Sequence, residues 1–178
     1  PMLVQAQMGA TKEKSEVAKL IEAAMASNIR SADERARDAK ERKPVETLEF
    51  FGLQPNMTVV ELMPSGGWYT KILAPVLAEK GKLIVAVGGA RLAPKLLEWK
   101  LDKVEAQDGK FEFRPSGQYG VGEVDAMESP ITGADMVLTF RNMHNFTPAA
   151  RAKINATVFC MLKPGGIFGV VDHTRRHM

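Results

Sequence analysis

Two short stretches carry the residues whose types could do chemistry. The first, ELMPSGGWYT, runs from Glu61 to Thr70. An acid closes an apolar run, two glycines follow, and helical periodicity begins. Glycine suits such a turn because it puts no Cβ in a ligand's way and takes positive φ at little cost. The start of a helix adds unpaired N–H groups and a partial positive charge. The stretch is not G-x-G-x-x-G and has no lysine at Walker spacing, which argues against dinucleotides and nucleotide triphosphates. Read alone, Gly66 and Gly67 make either a ligand floor or only a tight turn. The second stretch is RNMHN, from Arg141 to Asn145. Histidine is the side chain best suited to proton transfer near neutral pH, so His144 is a candidate general base. Arg141 is a candidate partner for an anion. Asn142 and Asn145 either orient a bound molecule or satisfy backbone groups at a strand-to-helix turn. Asp172 and His173 end another strand, as support for these groups or as a solvated strand end.

No metal site is expected. His144, His173 and His177 lack tight ligand spacing, and the four-residue step from His173 to His177 falls in a tail read as strand end. Cys160 is the single cysteine, so neither an internal disulfide nor a cysteine cluster can form. Its place on the apolar side of a helical segment points to core packing.

The elements that must position these groups follow from periodicity. KEKSEVAKLIEAAMAS places Val17, Leu20, Ile21 and Ala24 on one helical face. Ser31 or Asp33 caps a second helix, along which arginines alternate with acids. Pro44 opens a third, which ends at Gly52. From Thr58 strands and helices alternate. The spacing predicts a strand at TVVELM, a helix of about four turns from Gly67 to Gly81 and a strand at KLIVAV. It then predicts a helix over 93–109 and a short strand at KFEFRP. After a loop come a strand at ADMVLTFR, a helix capped by Thr147 with Pro148 at its first position, and a last strand at GIFGVVDH behind the turn LKPGG. Such alternation implies an α/β fold with a doubly wound, mostly parallel sheet. Residues 1–56 read as a helical segment packing on the core of residues 57–178, one domain overall.

The chain has 178 residues, 45% hydrophobic and 25% charged, with a net charge of +3. That suffices for one domain with its own core. No apolar run reaches the ~18–20 residues that span a membrane, so no membrane partner is expected. The cations are interspersed with acids rather than gathered in a stripe, so no nucleic-acid partner is expected. Val4-Gln5-Ala6 has the small-x-Ala look of an export-signal cleavage site with too short an apolar region before it. Periplasm and cytoplasm stay open.

From about Asn28 to His173 the chain resembles a family of bacterial predicted class I S-adenosylmethionine-dependent methyltransferases. The resemblance rests on RSADERARDA, RKPVETLEFFGLQPNMTVVELMPSGGWYT, ILAPVLAEKGKL, LTFRNMHNF and LKPGGIFGVVDH. It implies a Rossmann-like fold and S-adenosylmethionine as cofactor, with a small-molecule acceptor left unnamed. It places Glu61, Pro64, Gly66 and Gly67 along the methionine end of the cofactor. Ser65 stands where the family usually has another glycine, and its hydroxyl could meet the cofactor carboxylate. Trp68 and Tyr69 either wall the methyl-donor pocket or pack as a first helical turn. For methyl transfer, His144 is the expected base, with Asn142 orienting the acceptor and Arg141 pairing with an anionic one.

Two departures from the family follow. The second strand, KLIVAVGGARLAP, lacks the acid that usually binds the ribose hydroxyls. The ribose is then held otherwise, the cofactor binds weakly, or residues are missing near Gly88 and Gly89. The family also continues beyond the DH strand into a hairpin that completes the sheet. Its apparent absence leaves an open edge that invites homo-oligomerisation, unless further residues or the N-terminal helices cover it. The alternative function is a non-catalytic, degenerate binder of S-adenosylmethionine or a nucleoside on the same fold.

Overall fold

The computed structural model describes residues 13–173. The export-signal stub at residues 1–6 and His177 therefore lie outside the described residues.

Three helical pieces come first. Helix α1 (Glu16–Met25) starts at Ser15, whose hydroxyl accepts the Ala18 N–H, and buries Val17, Ala18, Ile21 and Ala24. Helix α2 (Ala32–Arg37) is fixed by a reciprocal capping box. The Ser31 hydroxyl accepts from the Glu34 N–H at 3.1 Å, and the Glu34 carboxylate accepts from the Ser31 N–H at 2.7 Å. The chain then widens into a π-helical turn, Asp38–Arg42. Lys43, left-handed at φ 40°, ends that turn, and Pro44 opens α3 (Pro44–Phe50).

Five strands form one all-parallel sheet in the order β3-β2-β1-β6-β7. They are β1 (Thr58–Leu62), β2 (Lys82–Ala86), β3 (Glu105–Ala106), β6 (Ala134–Phe140) and β7 (Leu162–Val171). Strand order reverses between β1 and β6, where doubly wound sheets open a ligand crevice at their carboxyl ends. On one face, Val17, Ile21 and Leu48 join Leu73 and Leu77 of α4 (Thr70–Leu77). On the other, Ile154 and Val158 of α6 (Pro148–Met161) pack on Val60 and Val137. The fold is thus the expected doubly wound α/β type. Among the described residues, no helix is long and apolar enough to cross a membrane.

Several local expectations need correction. The helix after the glycines begins at Thr70 and has 8 residues. Gly67 is left-handed at φ 78°, so Ser65–Tyr69 form a turn first. The helix predicted over 93–109 is instead α5 (Gly89–Glu98), which ends before Lys100, left-handed at φ 57°. Leu92 and Leu96 face inward from α5, whereas Leu97 is exposed. KFEFRP becomes β4 (Phe111–Pro115), outside the parallel sheet. It pairs antiparallel with β5 (Gly122–Met127), a strand within the segment expected to be loop. LKPGG does not precede the last strand but belongs to β7, where the register shifts and Gly165 takes φ 77°. Cys160 is exposed, not packed in the core. The buried stripe of α6 is Ala150, Ile154, Val158 and Met161. At 3.6 residues per turn, Cys160 sits about 200° around from Val158.

Candidate functional site

Strand β1 delivers Glu61 to the sheet's carboxyl edge. It is fully buried, and the Thr70 hydroxyl donates to it at 2.6 Å. Burial pushes its carboxyl up to about 8, against the lowering effect of that hydrogen bond. After β1 the backbone makes a tight, strained passage, with Met63 at φ 54° and Ser65 at φ 51°. The two glycines then differ. A Cβ on Gly66 would meet nothing within 4 Å, whereas one on Gly67 would lie 2.7 Å from the Trp99 ring. Gly66 therefore faces open space and Gly67 permits close packing.

Glu61, Pro64, Ser65, Gly66, Trp68 and Tyr69 all line one cavity of about 330 Å³, together with Arg141 and Asn142. Gly67 forms its turn without lining it. Tyr69 is buried and stacks on Phe140, with ring centroids 3.5 Å apart. Burial, only partly offset by the Arg42 charge, pushes its phenol up to about 12. Tyr69 and Trp68 pack against the core and also line this cavity. Asn142 donates its amide to the Met63 carbonyl at 3.2 Å and to the Thr139 hydroxyl at 3.0 Å, tying the end of β6 to the glycine turn. This is the backbone-satisfying reading of Asn142.

His144 stands apart from this cavity, in a 3-10 turn over Met143–Asn145. Its Nδ1 lies 2.6 Å from Asp172 Oδ1, and its own N–H donates to Asp172 Oδ2 at 2.7 Å. Burial tends to raise the Asp172 carboxyl, but the His173 N–H, the His144 ring and the His144 N–H together hold it below the usual carboxylate range. An ionised Asp172 makes Nδ1 the protonated nitrogen, so Nε2 carries the free lone pair. His144 lines a second hollow of about 520 Å³. Gln118 and Val121, from the β4–β5 hairpin tip, complete its wall.

Ligand atoms of His144, Asp172 and His173 lie within 4.8 Å of one another, close enough to hold a cation. Here N–H donors engage them instead, and Arg141 Nε donates to His173 Nε2 at 3.0 Å. The ribose acid missing after β2 has a neighbour of the same chemistry. Asp108, just beyond β3, accepts the Gly88, Gly89 and Ala90 N–H groups at 3.0, 2.9 and 2.9 Å. Its carboxylate caps α5.

Sequence reasoning also missed the N-terminal contribution. Glu34, Arg37 and Arg42 line the glycine-turn cavity. Glu34 receives Lys71 Nζ at 3.0 Å on both carboxylate oxygens. The guanidinium groups of Arg30 and Arg42 lie over the Trp68 ring, 4.7 and 4.8 Å from its centre. In sequence these arginines only alternate with acids along a helix. The π-helical turn that aims Arg42 inward has no signal in that pattern.

The parallel order, the crevice at the strand reversal and the glycine turn lead to known proteins. A structure of a SAM-dependent methyltransferase from Aquifex aeolicus superimposes with a TM-score of 0.60 at 18% identity, covering 83% of this chain and 74% of that one. The chain has the class I methyltransferase fold. Phosphoethanolamine N-methyltransferase 1 of Haemonchus contortus gives a TM-score of 0.57 at 15% identity, over 80% of this chain and 28% of that one. In sequence, an uncharacterized methyltransferase of Synechocystis sp. is 28% identical over 125 residues, 70% of this chain. The chain spans 51% of that relative's length. No protein-family model matches.

Proposed function

We propose that the protein is an S-adenosylmethionine-dependent methyltransferase acting on a small molecule, of the bacterial predicted class I kind that its motifs resemble. The observation that carries the reading is the cavity at the strand reversal. Its floor at Gly66 is open, its wall is aromatic, and a buried acid sits at its base. A cofactor with an aromatic base, a ribose and a charged methionine end fits that lining. When bound, S-adenosylmethionine supplies an electrophilic methyl group. The chain's own task is then alignment, with reacting atoms held in line and water kept out. Asp172 fixes the His144 tautomer, and the acceptor's hydroxyl or amine proton goes to Nε2. Asn142 shapes the site by holding the glycine turn against β6.

Calorimetry with S-adenosylmethionine, S-adenosylhomocysteine and NAD tests the cofactor. Binding of the first two and silence with NAD is expected; tighter binding of NAD would overturn the reading. With an acceptor in hand, His144→Ala should lower turnover by about 10²–10⁴ while cofactor affinity holds.

The second reading, a binder without turnover, is favoured by one observation. The acid near the β2 end is Asp108, and it is occupied by three amides. Cofactor binding without S-adenosylhomocysteine production from any acceptor would select it. The proposal includes a homo-oligomer formed along the outer edge of β7.

A further inference from the structure

Between the glycine-turn cavity and the His144 hollow lies a third depression of about 390 Å³. It shares Arg42, Tyr69, Phe140 and Arg141 with the first, and Asp172 and His173 with the second. It thus adjoins both the glycine-turn cavity and the His144 hollow. Two arginines from opposite ends of the sequence meet there.

Neither arginine is neutralised. Among the described residues, no carboxylate lies within ion-pair distance of Arg42, Arg141 or Arg37. The neighbouring acids are committed elsewhere: Glu34 to Lys71, Asp38 to Arg30 and Asp172 to His144. Glu41, on the rim, is exposed. Arg42 Nε is buried without a hydrogen-bond partner. Burial, and next the Arg141 charge, lower the Arg42 guanidinium below its ordinary value. A buried donor left unmet is unfavourable, and so are two like charges facing one cavity.

The chain holds both side chains there firmly. The Arg42 carbonyl accepts from the Thr47 and Tyr69 hydroxyls at 3.1 and 3.4 Å, and its guanidinium lies over Trp68. Arg141 takes φ 61°, a strained value for a side chain of its size, and its N–H donates to the Val171 carbonyl at 2.7 Å. Arg141 uses Nε on His173, which leaves the terminal nitrogens of its fork for a ligand.

We propose that Arg42 and Arg141 together bind a carboxylate or phosphate of the methyl acceptor, so that the substrate is an anionic small molecule. The inference rests on the methyltransferase reading for the identity of the ligand, but not for the anion site. The same chemistry has a second source, the methionine carboxylate of the cofactor. The acceptor is favoured because the depression extends from the arginines toward His144, away from Ser65 and Gly66.

The test is calorimetric titration of inorganic phosphate into the whole chain, alone and saturated with S-adenosylhomocysteine. Arg42→Gln, Arg42→Lys and Arg141→Gln follow, each checked by thermal melting. Phosphate should bind with and without S-adenosylhomocysteine. Either glutamine variant should weaken it at least tenfold, with Arg42→Lys in between. S-adenosylhomocysteine affinity should fall by a smaller factor than phosphate affinity, because both arginines also line the glycine-turn cavity. Absent phosphate binding, or unchanged binding in both glutamine variants, overturns the site. Phosphate excluded by S-adenosylhomocysteine, with both variants losing that ligand, makes the anion the cofactor's and overturns the acceptor assignment. Phosphate binding that needs the arginines in a protein that ignores S-adenosylhomocysteine keeps the anion site and rejects the methyltransferase reading. Should Arg42→Gln melt early, Arg141→Gln decides, since among the described residues the guanidinium of Arg141 hydrogen-bonds to the exposed His173 alone.

Discussion

Gly66 and Gly67 are neighbours in sequence with different work to do. Gly66→Val places its side chain in open cavity space, so it should abolish S-adenosylmethionine binding by calorimetry while the melting temperature holds. Equal affinity in variant and parent would remove Gly66 from the site. Gly67→Ala should act oppositely, through fold stability. Its Cβ meets the Trp99 ring at 2.7 Å and its φ is 78°, so a loss of about 1–3 kcal/mol in denaturant unfolding is expected. Glu61 sets a pH dependence. Its carboxyl rises from 4.5 to about 8 on folding, so between these values the unfolded chain has released a proton that the native chain keeps. Stability from this group therefore falls as pH rises from 4.5 and is fully lost above 8. Glu61→Gln should flatten that slope and raise the melting temperature at pH 8 by several degrees, for a gain on the order of 2 kcal/mol. A variant melting below the parent at pH 8 would show that Glu61 is ionised and needed.

At the scale of elements, the site depends on helices that precede the sheet. Arg30 and Asp38 form a buried bidentate pair, with both contacts at 2.8 Å, and it anchors the π-helical turn that carries Arg42. Removing one partner leaves the other charge buried and unpaired. Asp38→Ala should cost about 3–5 kcal/mol in chemical denaturation. A loss under 1 kcal/mol would mean that water reaches Arg30. Ser31→Ala removes half of the capping box of α2 and should cost about 1 kcal/mol. The Glu34 carboxylate keeps both of its anchors in that variant, the Ser31 N–H and Lys71 on α4. Helix α2 is thereby pinned over the glycine turn from both sides.

For the whole molecule, the exposed flank is β7. Among the described residues it is the longer of the sheet's two outer strands, β3 being the other, and its Ile167 and Val170 are 39% exposed. An apolar parallel strand with unpaired backbone groups is a template for another chain. Sedimentation of the 178-residue chain should give a mass above 19.5 kDa, and Val170→Lys should return it to the monomer. A parent that sediments as a monomer at high concentration would reject pairing along this edge. Fold and site meet in the same geometry. The reversal of strand order sends the segments that leave β1 and β6 to opposite faces of the sheet, and a crevice opens between them at the carboxyl edge.

The sequence by itself determined the doubly wound, mostly parallel class and the cap at Thr147, narrowed the α2 cap to Ser31 or Asp33, and singled out Glu61–Tyr69 as a stretch that turns tightly. These are local properties. Alternating apolar runs, a hydroxyl three residues before an acid, and paired glycines each act within a few residues of themselves. Only the tertiary structure decided the rest. Whether Cys160 faces in or out depends on the angle of α6 against the sheet. Whether FEFRP joins the main sheet depends on a partner, β5, whose Gly and acid content reads as loop. The pairing of His144 with Asp172 joins residues 28 apart in sequence, and the meeting of Arg42 with Arg141 joins the N-terminal helices to β6. Such contacts exist only once the chain has folded back on itself. Their energy comes from desolvation and charge, which no local pattern records.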